Sequence, residues 1–432
     1  MNGSVEVMAG NQVIVVGAGA SGMMAAIAAA REGAKVCLLE AMDRPGKKLL
    51  LTGNGRCNLT NTEKELAGRY HGSGSFLAKD ITSIFDAEKT LAFFESIGLL
   101  TLEKNGYVYP YSGQSCAVLE ILLQELSRLG VKRKLNEKVE SVVCRDKVYC
   151  VKTATWEYTA DAVILACGSK AAPATGSDGS GYALVKMLGH TINPVMPALV
   201  PVECRGNFFG QVSGVRTQAV VSLSFTDHVG EQVLGFERGE LQWTKYGVSG
   251  IVVFQLSRYV REYNKKGKLS FHLDLLPDFS KAYLVQYLCD RVKNLADSHV
   301  SDAKAGCLLS GMLHEKLIPV ILQSAGISKK LLAKSLSKTQ AEQLAAKIKD
   351  FELEVKDTKG FDVAQVCAGG VPASELDGQT LESRKHQGLF FAGEIVDVDG
   401  PCGGYNLQWA WSSGQIAGRA AAKRVSLANE ER

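Results

Sequence analysis

The chain has 432 residues, 46% of them hydrophobic and 22% charged, with a formal net charge of +4. That length accommodates two or three domains with sizeable cores, and the composition is that of a globular protein, not of a disordered, fibrous or disulfide-rich chain. The charge balance is modest, and Lys329, Lys330, Lys338, Lys347 and Lys349 read as solvated helix faces, so no nucleic-acid partner is expected.

Residues 1–11 lack a basic start and an apolar core, and no uncharged apolar stretch approaches twenty residues. The sequence therefore predicts a cytoplasmic protein with no membrane partner. Eleven cysteines are odd in number, scattered and free of any Cys-x-x-Cys pair, which predicts reduced thiols. With seven dispersed histidines they offer no closely spaced ligand set, so no metal is expected.

In chain order, the first element is a four-residue apolar run, Val13 to Val16, followed by Gly17-Ala18-Gly19-Ala20-Ser21-Gly22, an alanine-rich segment and Val36 to Glu40. It reads as strand, glycine turn, helix and strand ending in a carboxylate. Gly17 permits the tight turn, Gly19 lets backbone approach a pyrophosphate, and Gly22 allows close packing of helix on strand. Anions favour the helix start, and Glu40 can accept hydrogen bonds from ribose hydroxyls. The inference is an adenine dinucleotide, with NAD and FAD undistinguished.

From Arg44 to Asn58 basic side chains and glycines lack periodicity, as in a ligand loop; a mobile surface loop is the alternative. Helical spacing recurs over 86–97 and 114–129. A β-rich stretch from Val139 to Trp156 precedes Ala162 to Gly168, the pattern of a buried strand ending in glycine. After Pro194, alternating segments such as Ala219 to Phe225 predict an antiparallel β-domain, and helical patterns follow over 281–296, 303–313 and 337–349. Alternation returns at Phe351 to Lys356. The chain closes with a short apolar strand, Gly388 to Glu394, a Gly/Asp-rich loop, and an alanine-rich helix over 408–424. The predicted architecture is α/β: a Rossmann-like domain with a doubly wound, mostly parallel sheet, residues 1–190 and 358–432, interrupted at 191–357 by an inserted β-barrel and small helical domain covering the substrate.

The glycine fingerprint, Gly53-Asn54-Gly55-Arg56-Cys57-Asn58-Leu59-Thr60-Asn61, Gly176 to Tyr182 before Leu188-Gly189-His190, and Gly393 to Gly400 through Gly403-Gly404-Tyr405-Asn406-Leu407-Gln408 together resemble the BaiN-like bacterial flavoproteins over nearly the whole chain. The resemblance implies non-covalent FAD and an activity like that of bile-acid reductases acting on 3-oxo-Δ4,6 intermediates or of aminoacetone oxidases. By the same resemblance, Gly17, Gly19, Ala20, Ser21, Gly22 and Glu40 would hold the pyrophosphate and adenosine ribose. Lys48, Arg56, Cys57 and Asn58 would approach the diphosphate and ring, and the backbone of Val139 would meet adenine. Gly168, Gly393 and Glu394 would line the cofactor, while Asn406 and Leu407 would place N–H groups at flavin N1 and O2. One departure stands out: relatives carry Thr-His-x-Gly-x-Ser-Gly-Pro where this chain has Thr244-Lys245-Tyr246-Gly247-Val248-Ser249-Gly250-Ile251.

For an enone, negative charge develops on the carbonyl oxygen as hydride adds, which calls for a hydrogen-bond donor and a proton source. Tyr405, Tyr246 and Lys245 are the catalytic candidates. Cys57 and Cys402 lack a cysteine partner nearby in sequence and read as packed thiols. No second strand-led glycine fingerprint appears, so NADH or NADPH is expected to dock transiently, with ping-pong kinetics. The leading expectation is an NAD(P)H-dependent reductase of hydrophobic enones. The rivals are a peroxide-producing flavin amine oxidase and a nucleic-acid-modifying flavoprotein.

Overall fold

The computed structural model describes residues 5–6, 12–63, 66–296 and 302–430. It divides into two compact units, residues 1–197 with 361–432, and residues 198–360. The boundaries fall at 197/198 and 360/361 instead of 190/191 and 357/358, and local hydrogen bonds explain the shift. The Asn193 N–H donates to Gly370 O at 2.8 Å and its side-chain amide to Asp397 Oδ2 at 2.8 Å, tying that segment to the first unit. Thr358 pairs with Val202, and the Lys359 N–H donates to Pro201 O at 2.8 Å, tying those residues to the second.

The first unit is built on a five-stranded parallel sheet in the order Leu389–Phe391, Ala162–Leu165, Gln12–Val16, Lys35–Leu39, Lys132–Lys134. Its central strands are continuous apolar runs, with Val13, Ile14, Val15 and Ala162 to Leu165 at most 1% exposed, because a parallel sheet is covered on both faces. The chain runs from the first strand to one side and later to the other. The switch point lies between Gln12–Val16 and Ala162–Leu165, and a doubly wound sheet binds ligands at the strand ends there. The β-rich stretch forms an antiparallel meander of Val139–Arg145, Val148–Thr153 and Glu157–Ala160. The two helices expected before it run Ala87–Ser96, capped by the Asp86 carboxylate on the Lys89 N–H, and Ser115–Arg128. Within the expected loop of residues 44–58, Lys47–Leu51 makes one helical turn, because Leu49 is buried against the core.

The last helix, Tyr405–Glu430, is longer than the alanine-rich segment suggests. It crosses the fingerprint helix Ala20–Arg31 at very short range. A Cβ on Gly414 would lie 2.5 Å from Ser21 O, and one on Gly418 would lie 2.3 Å from Ala25 O. Alanines and glycines are therefore required on both facing surfaces, which accounts for the composition of both helices.

The second unit is a closed six-stranded antiparallel barrel in the order Val202–Cys204, Gly247–Ser249, Glu231–Thr244, Arg216–Thr226, Lys268–Asp274, Phe351–Thr358. Its interior is a separate core holding Leu223, Leu241, Trp243, Val248, Phe271 and Leu353. Two helices match their expected spans closely: Lys281–Ala296, and Lys338–Lys349, which opens with a Ser337–Gln340 capping box. Residues 303–313 are not an α-helix. They form a short 3-10 turn, Ala305–Leu309, followed by Gly311 at φ +83°, although Leu308, Leu309 and Leu313 are buried as the periodicity requires. The helices Phe209–Val212, Ile251–Tyr263 within the β-rich region and Ile318–Ser324 were not legible, nor were Ser75–Ile84 and Gly181–Met187 in the first unit. Among the described residues no helix is long and apolar enough to cross a membrane.

Candidate cofactor and catalytic site

The three fingerprint glycines do three different things. Gly17 has φ +103°, and a Cβ there would sit 2.5 Å from Ala166 O, so the turn requires glycine on both counts. At Gly22 a Cβ would meet Gly17 O at 1.8 Å, which makes any side chain incompatible with the helix lying on its strand. At Gly19 a Cβ would meet nothing within 4 Å, so the space beside the helix start is open. The helix N-cap is Gly19 itself, with no side-chain cap and no acid in the first turn. Unpaired N–H groups face that space, as an anion cradle requires. Ala20 and Ser21 begin the helix; the Ser21 hydroxyl donates to Ala392 O at 3.4 Å.

Glu40 stands at the end of the adjacent strand. Its Oε2 accepts the Ala18 N–H at 2.7 Å and its Oε1 accepts the Met42 N–H at 2.9 Å. Burial pushes the carboxyl pKa up, and these backbone donors offset the shift in part. The Glu137 N–H donates to Glu40 O at 2.8 Å, which brings the approach to Val139 alongside. Val139 is 7% exposed, and nearby Glu137 Oε2 is buried without a partner.

A second group of residues forms around the start of the last helix. The Gly393 N–H donates to Ser413 Oγ at 2.9 Å and its carbonyl accepts from Trp409 Nε1 at 3.0 Å. Glu394 Oε2 accepts from Lys48 Nζ at 2.5 Å and from Ser169 Oγ at 3.0 Å, joining residues from three chain segments. Asn406 brackets the preceding loop: its Oδ1 accepts the Gly400 N–H at 2.8 Å and its Nδ2 donates to Gly400 O at 2.7 Å. The Gln408 N–H donates to Gly404 O at 2.9 Å, leaving the Asn406 and Leu407 N–H groups ahead of it as free donors of a helix start. Gly168, at φ +71°, follows the strand Ala162–Leu165 at the same end of the sheet. In the 53–58 loop, Arg56 is exposed, Cys57 is buried with φ +60°, and Asn58 Oδ1 is buried without a partner. Burial pushes the Cys57 thiol up to about 12, which makes it a poor nucleophile. Cys402 is half-buried, with its sulfur 3.8 Å from Gln365 Oε1.

Sequence reasoning missed two organising side chains. Gln408, fully buried, places its Nε2 2.9 Å from each of Phe85 O, Thr90 Oγ1 and Ser412 Oγ, its two N–H groups shared among them, and accepts from Thr60 Oγ1 at 2.6 Å. Asp397 accepts from the Ser73 N–H, the Gly369 N–H and the Asn193 amide at 2.8 to 3.0 Å. Their only signal was a position inside the closing glycine-rich motif.

The three catalytic candidates lie in different units. Tyr405, 5% exposed, donates its phenolic proton to Glu63 Oε2, and Glu63 also pairs with Arg69 at 2.5 Å. Burial and then the Glu63 carboxylate push the Tyr405 pKa up. Its proton is thus already committed, and serving a substrate oxygen requires release from Glu63. Lys245 and Tyr246 occupy the tight turn between strands Glu231–Thr244 and Gly247–Ser249 of the barrel. Lys245 is exposed, while the Tyr246 ring lies under Lys359 Nζ at 4.7 Å.

The open space at Gly19, the uncapped helix starts, and the unpartnered buried atoms of Asn58 and Glu137 fit a large, polar, partly anionic dinucleotide. Fold and site together define the class, a Rossmann-type dinucleotide-binding protein. The chain belongs to the HI0933-like protein Rossmann domain family, which it matches over residues 11–420. It is 44% identical over 420 residues, 96% of this chain and 100% of the relative, to the 3-dehydro-bile acid delta(4,6)-reductase of Clostridium scindens. It is 28% identical to the ribosomal RNA dihydrouridine synthase of Escherichia coli, over 93% of this chain and 95% of that protein. The corresponding protein of Haemophilus influenzae is 27% identical over 93% and 96%.

Proposed function

We propose that the protein is an NAD(P)H-dependent flavin ene-reductase that saturates carbon–carbon double bonds of 3-oxo-Δ4 and Δ4,6 bile-acid or steroid enones. The observation that carries this reading is 44% identity, over 96% of the chain, to a 3-dehydro-bile acid delta(4,6)-reductase. The more distant relatives support the same bond chemistry. The double bond of uracil that becomes saturated in dihydrouridine is also conjugated to a carbonyl, so the two named activities share a reaction type while differing in substrate.

When bound, FAD supplies a two-electron carrier able to exchange hydride with a nicotinamide and with an activated double bond. The helix start at Gly19 to Gly22 would hold the pyrophosphate. Glu40 would take the ribose hydroxyls by exchanging its bond to Ala18. Asn406 and Leu407 would offer N–H groups to a developing negative charge, and the Lys48–Glu394 pair, fixed by Ser169, would orient the chain between the phosphates and the ring. Tyr405 holds a proton at Oη, and Glu63 is the base that positions it. Lys245 and Tyr246 remain donor candidates from the barrel unit. The substrate is a small hydrophobic molecule, the protein works in the cytoplasm, and neither nucleic acid nor membrane is a partner.

The test is anaerobic reduction of the FAD-loaded protein with NADH or NADPH, followed by a 3-oxo-Δ4,6 bile acid. Bleaching at about 450 nm and its reversal by the enone, with ping-pong kinetics, are the expected results. Reoxidation by uridine in ribosomal RNA but not by the enone would transfer the reading to the RNA substrate. Amine-driven peroxide release without enone turnover would replace it with the oxidase.

A further inference from the structure

The parallel sheet has two ends, and the cofactor residues all follow the carboxyl ends of its strands. At the opposite end, the residues just before strands Ala162–Leu165 and Leu389–Phe391 line a cavity of about 310 Å³. Its wall carries Lys147, Lys385, Arg424 and His386, against the single carboxylate of Asp161. Three positively charged side chains thus line one concave space, Lys147 and Lys385 from exposed positions and Arg424 from a half-buried one, with one carboxylate in the wall.

Among the described residues, Lys385 is the one of the three cations paired with a carboxylate. Lys385 Nζ donates to Glu375 Oε1 at 2.8 Å and to Gly189 O at 2.7 Å. For Lys147 and Arg424 no ion pair or hydrogen bond is formed by the side chain among the described residues. Like charges held together in a partly desolvated pocket repel one another unless a counter-charge enters. The half-buried Arg424 is held on the last helix, and its planar fork suits a bidentate oxyanion. The floor is rigid: the Tyr149 hydroxyl, from a fully buried side chain, donates to Gln387 O at 2.7 Å, and His386 Nε2 is 2.7 Å from Leu188 O.

We propose that this cavity is a binding site for a small phosphoryl anion, separate from the cofactor site and at the amino-terminal edge of the sheet. The shape and charge favour a polyvalent, tetrahedral group of mono- or diphosphate size. A route toward the cofactor end runs through the same residues. Lys385 shares Glu375 with His190 Nδ1, at 2.6 Å from Glu375 Oε2, and the His190 ring packs edge-on against Phe391 at 5.0 Å. Phe391 ends the strand that leads to Gly393 and Glu394.

The experiment uses FAD-loaded protein, so that the glycine cradle is filled, and inorganic pyrophosphate as the probe in 0.15 M salt. Calorimetry and a thermal-shift series are run beside an equal series with succinate, and released FAD is followed by fluorescence. Saturable pyrophosphate binding without FAD release is expected. Arg424→Gln and Lys147→Gln should each weaken it by about tenfold or more, with Arg424→Lys partly restoring affinity. Arg133→Gln, on a different surface, should leave it unchanged. Absence of saturable binding, equal affinity for succinate, displacement of FAD, or binding indifferent to both cavity substitutions would overturn the proposal. None of these readouts depends on which substrate the enzyme reduces.

Discussion

Two helix starts in the nucleotide-binding unit face ligand chemistry, and they are built by opposite means. The start at Gly19 is made by leaving side chains out: the backbone turns, packs and opens a space because three positions are glycine. The start at Tyr405 is made by putting polar side chains in, with Asn406, Gln408, Ser412 and Ser413 bonding the segments at Gly400, Phe85, Thr60 and Gly393. A site built from absent side chains tolerates no addition, whereas one built from buried hydrogen bonds tolerates no removal.

Gly22→Val should have the largest effect, because its Cβ has no room at 1.8 Å from Gly17 O. FAD retention, read as the ratio of flavin to protein absorbance, should fall by about a hundredfold or more. A variant that keeps its yellow colour would break the first half of the comparison. Gln408→Ala tests the second half. It strands the Thr60 and Thr90 hydroxyls in the core, leaves the Phe85 carbonyl with its bond from Ser412 alone, and should cost about 2–4 kcal/mol in urea denaturation. A loss under about 0.5 kcal/mol would mean that these bonds do not hold the loop.

Glu40→Ala removes the proposed ribose acceptor and also leaves the Ala18 and Met42 N–H groups without their acceptor, so FAD affinity should drop by about tenfold and the FAD-free protein should lose about 1–3 kcal/mol in urea denaturation. Acid titration should then resolve two steps in stability. Burial holds His190 below its ordinary pKa, even with Glu375 opposing the shift, so stability declines as pH falls below about 6.5, where the unfolded histidine takes up a proton first. Burial acts to raise the Glu375 carboxyl, but bonds from Lys385, Thr191 and His190 outweigh it and hold it at about 2. Its contribution is present above about 4.5 and is lost as pH falls from there toward about 2. His190→Gln should erase the upper step and, by removing one of the bonds that hold Glu375 down, shrink the lower one, as measured by urea midpoints from pH 8 to pH 2. The smallest expected effect is chemical: iodoacetamide at pH 8 should modify the exposed Cys116 and spare Cys57, whose buried thiol stays protonated.

The same contrast explains what the sequence made legible. The glycine start is readable because its three glycines fall within six residues, Gly17 at φ +103° and Gly22 against Gly17 O, and the apolar strands beside it carry their burial in their composition. Gln408 and Asp397 are not readable in this way, since their partners lie as much as 348 residues distant and no local pattern marks a buried amide. The resemblance supplied the loop around them without saying what they hold. In the barrel unit, alternation revealed the strands but hid the helix Ile251–Tyr263, whose apolar residues follow directly on a strand with only Gly250, at φ +101°, between them. At 303–313 the reverse occurred: burial matched a helix while Gly311 turned the backbone away from one. The exposed Lys245 shows the limit for catalysis, because a residue type in a motif position does not say which way its proton will go.

The interrupted layout has a consequence for how the polypeptide acquires its shape. The barrel is drawn from one uninterrupted stretch, residues 198–360, whereas the sheet is completed by Leu389–Phe391 and roofed by the helix crossing at Gly414 and Gly418. During synthesis the inserted module can therefore settle while the earlier strands still wait for partners made some two hundred residues later, a long-range closure of the kind that slows folding. Maturation of this enzyme should accordingly be limited by the arrival of its last helix, and nascent chains halted ahead of Gly414 should be the species that chaperones hold.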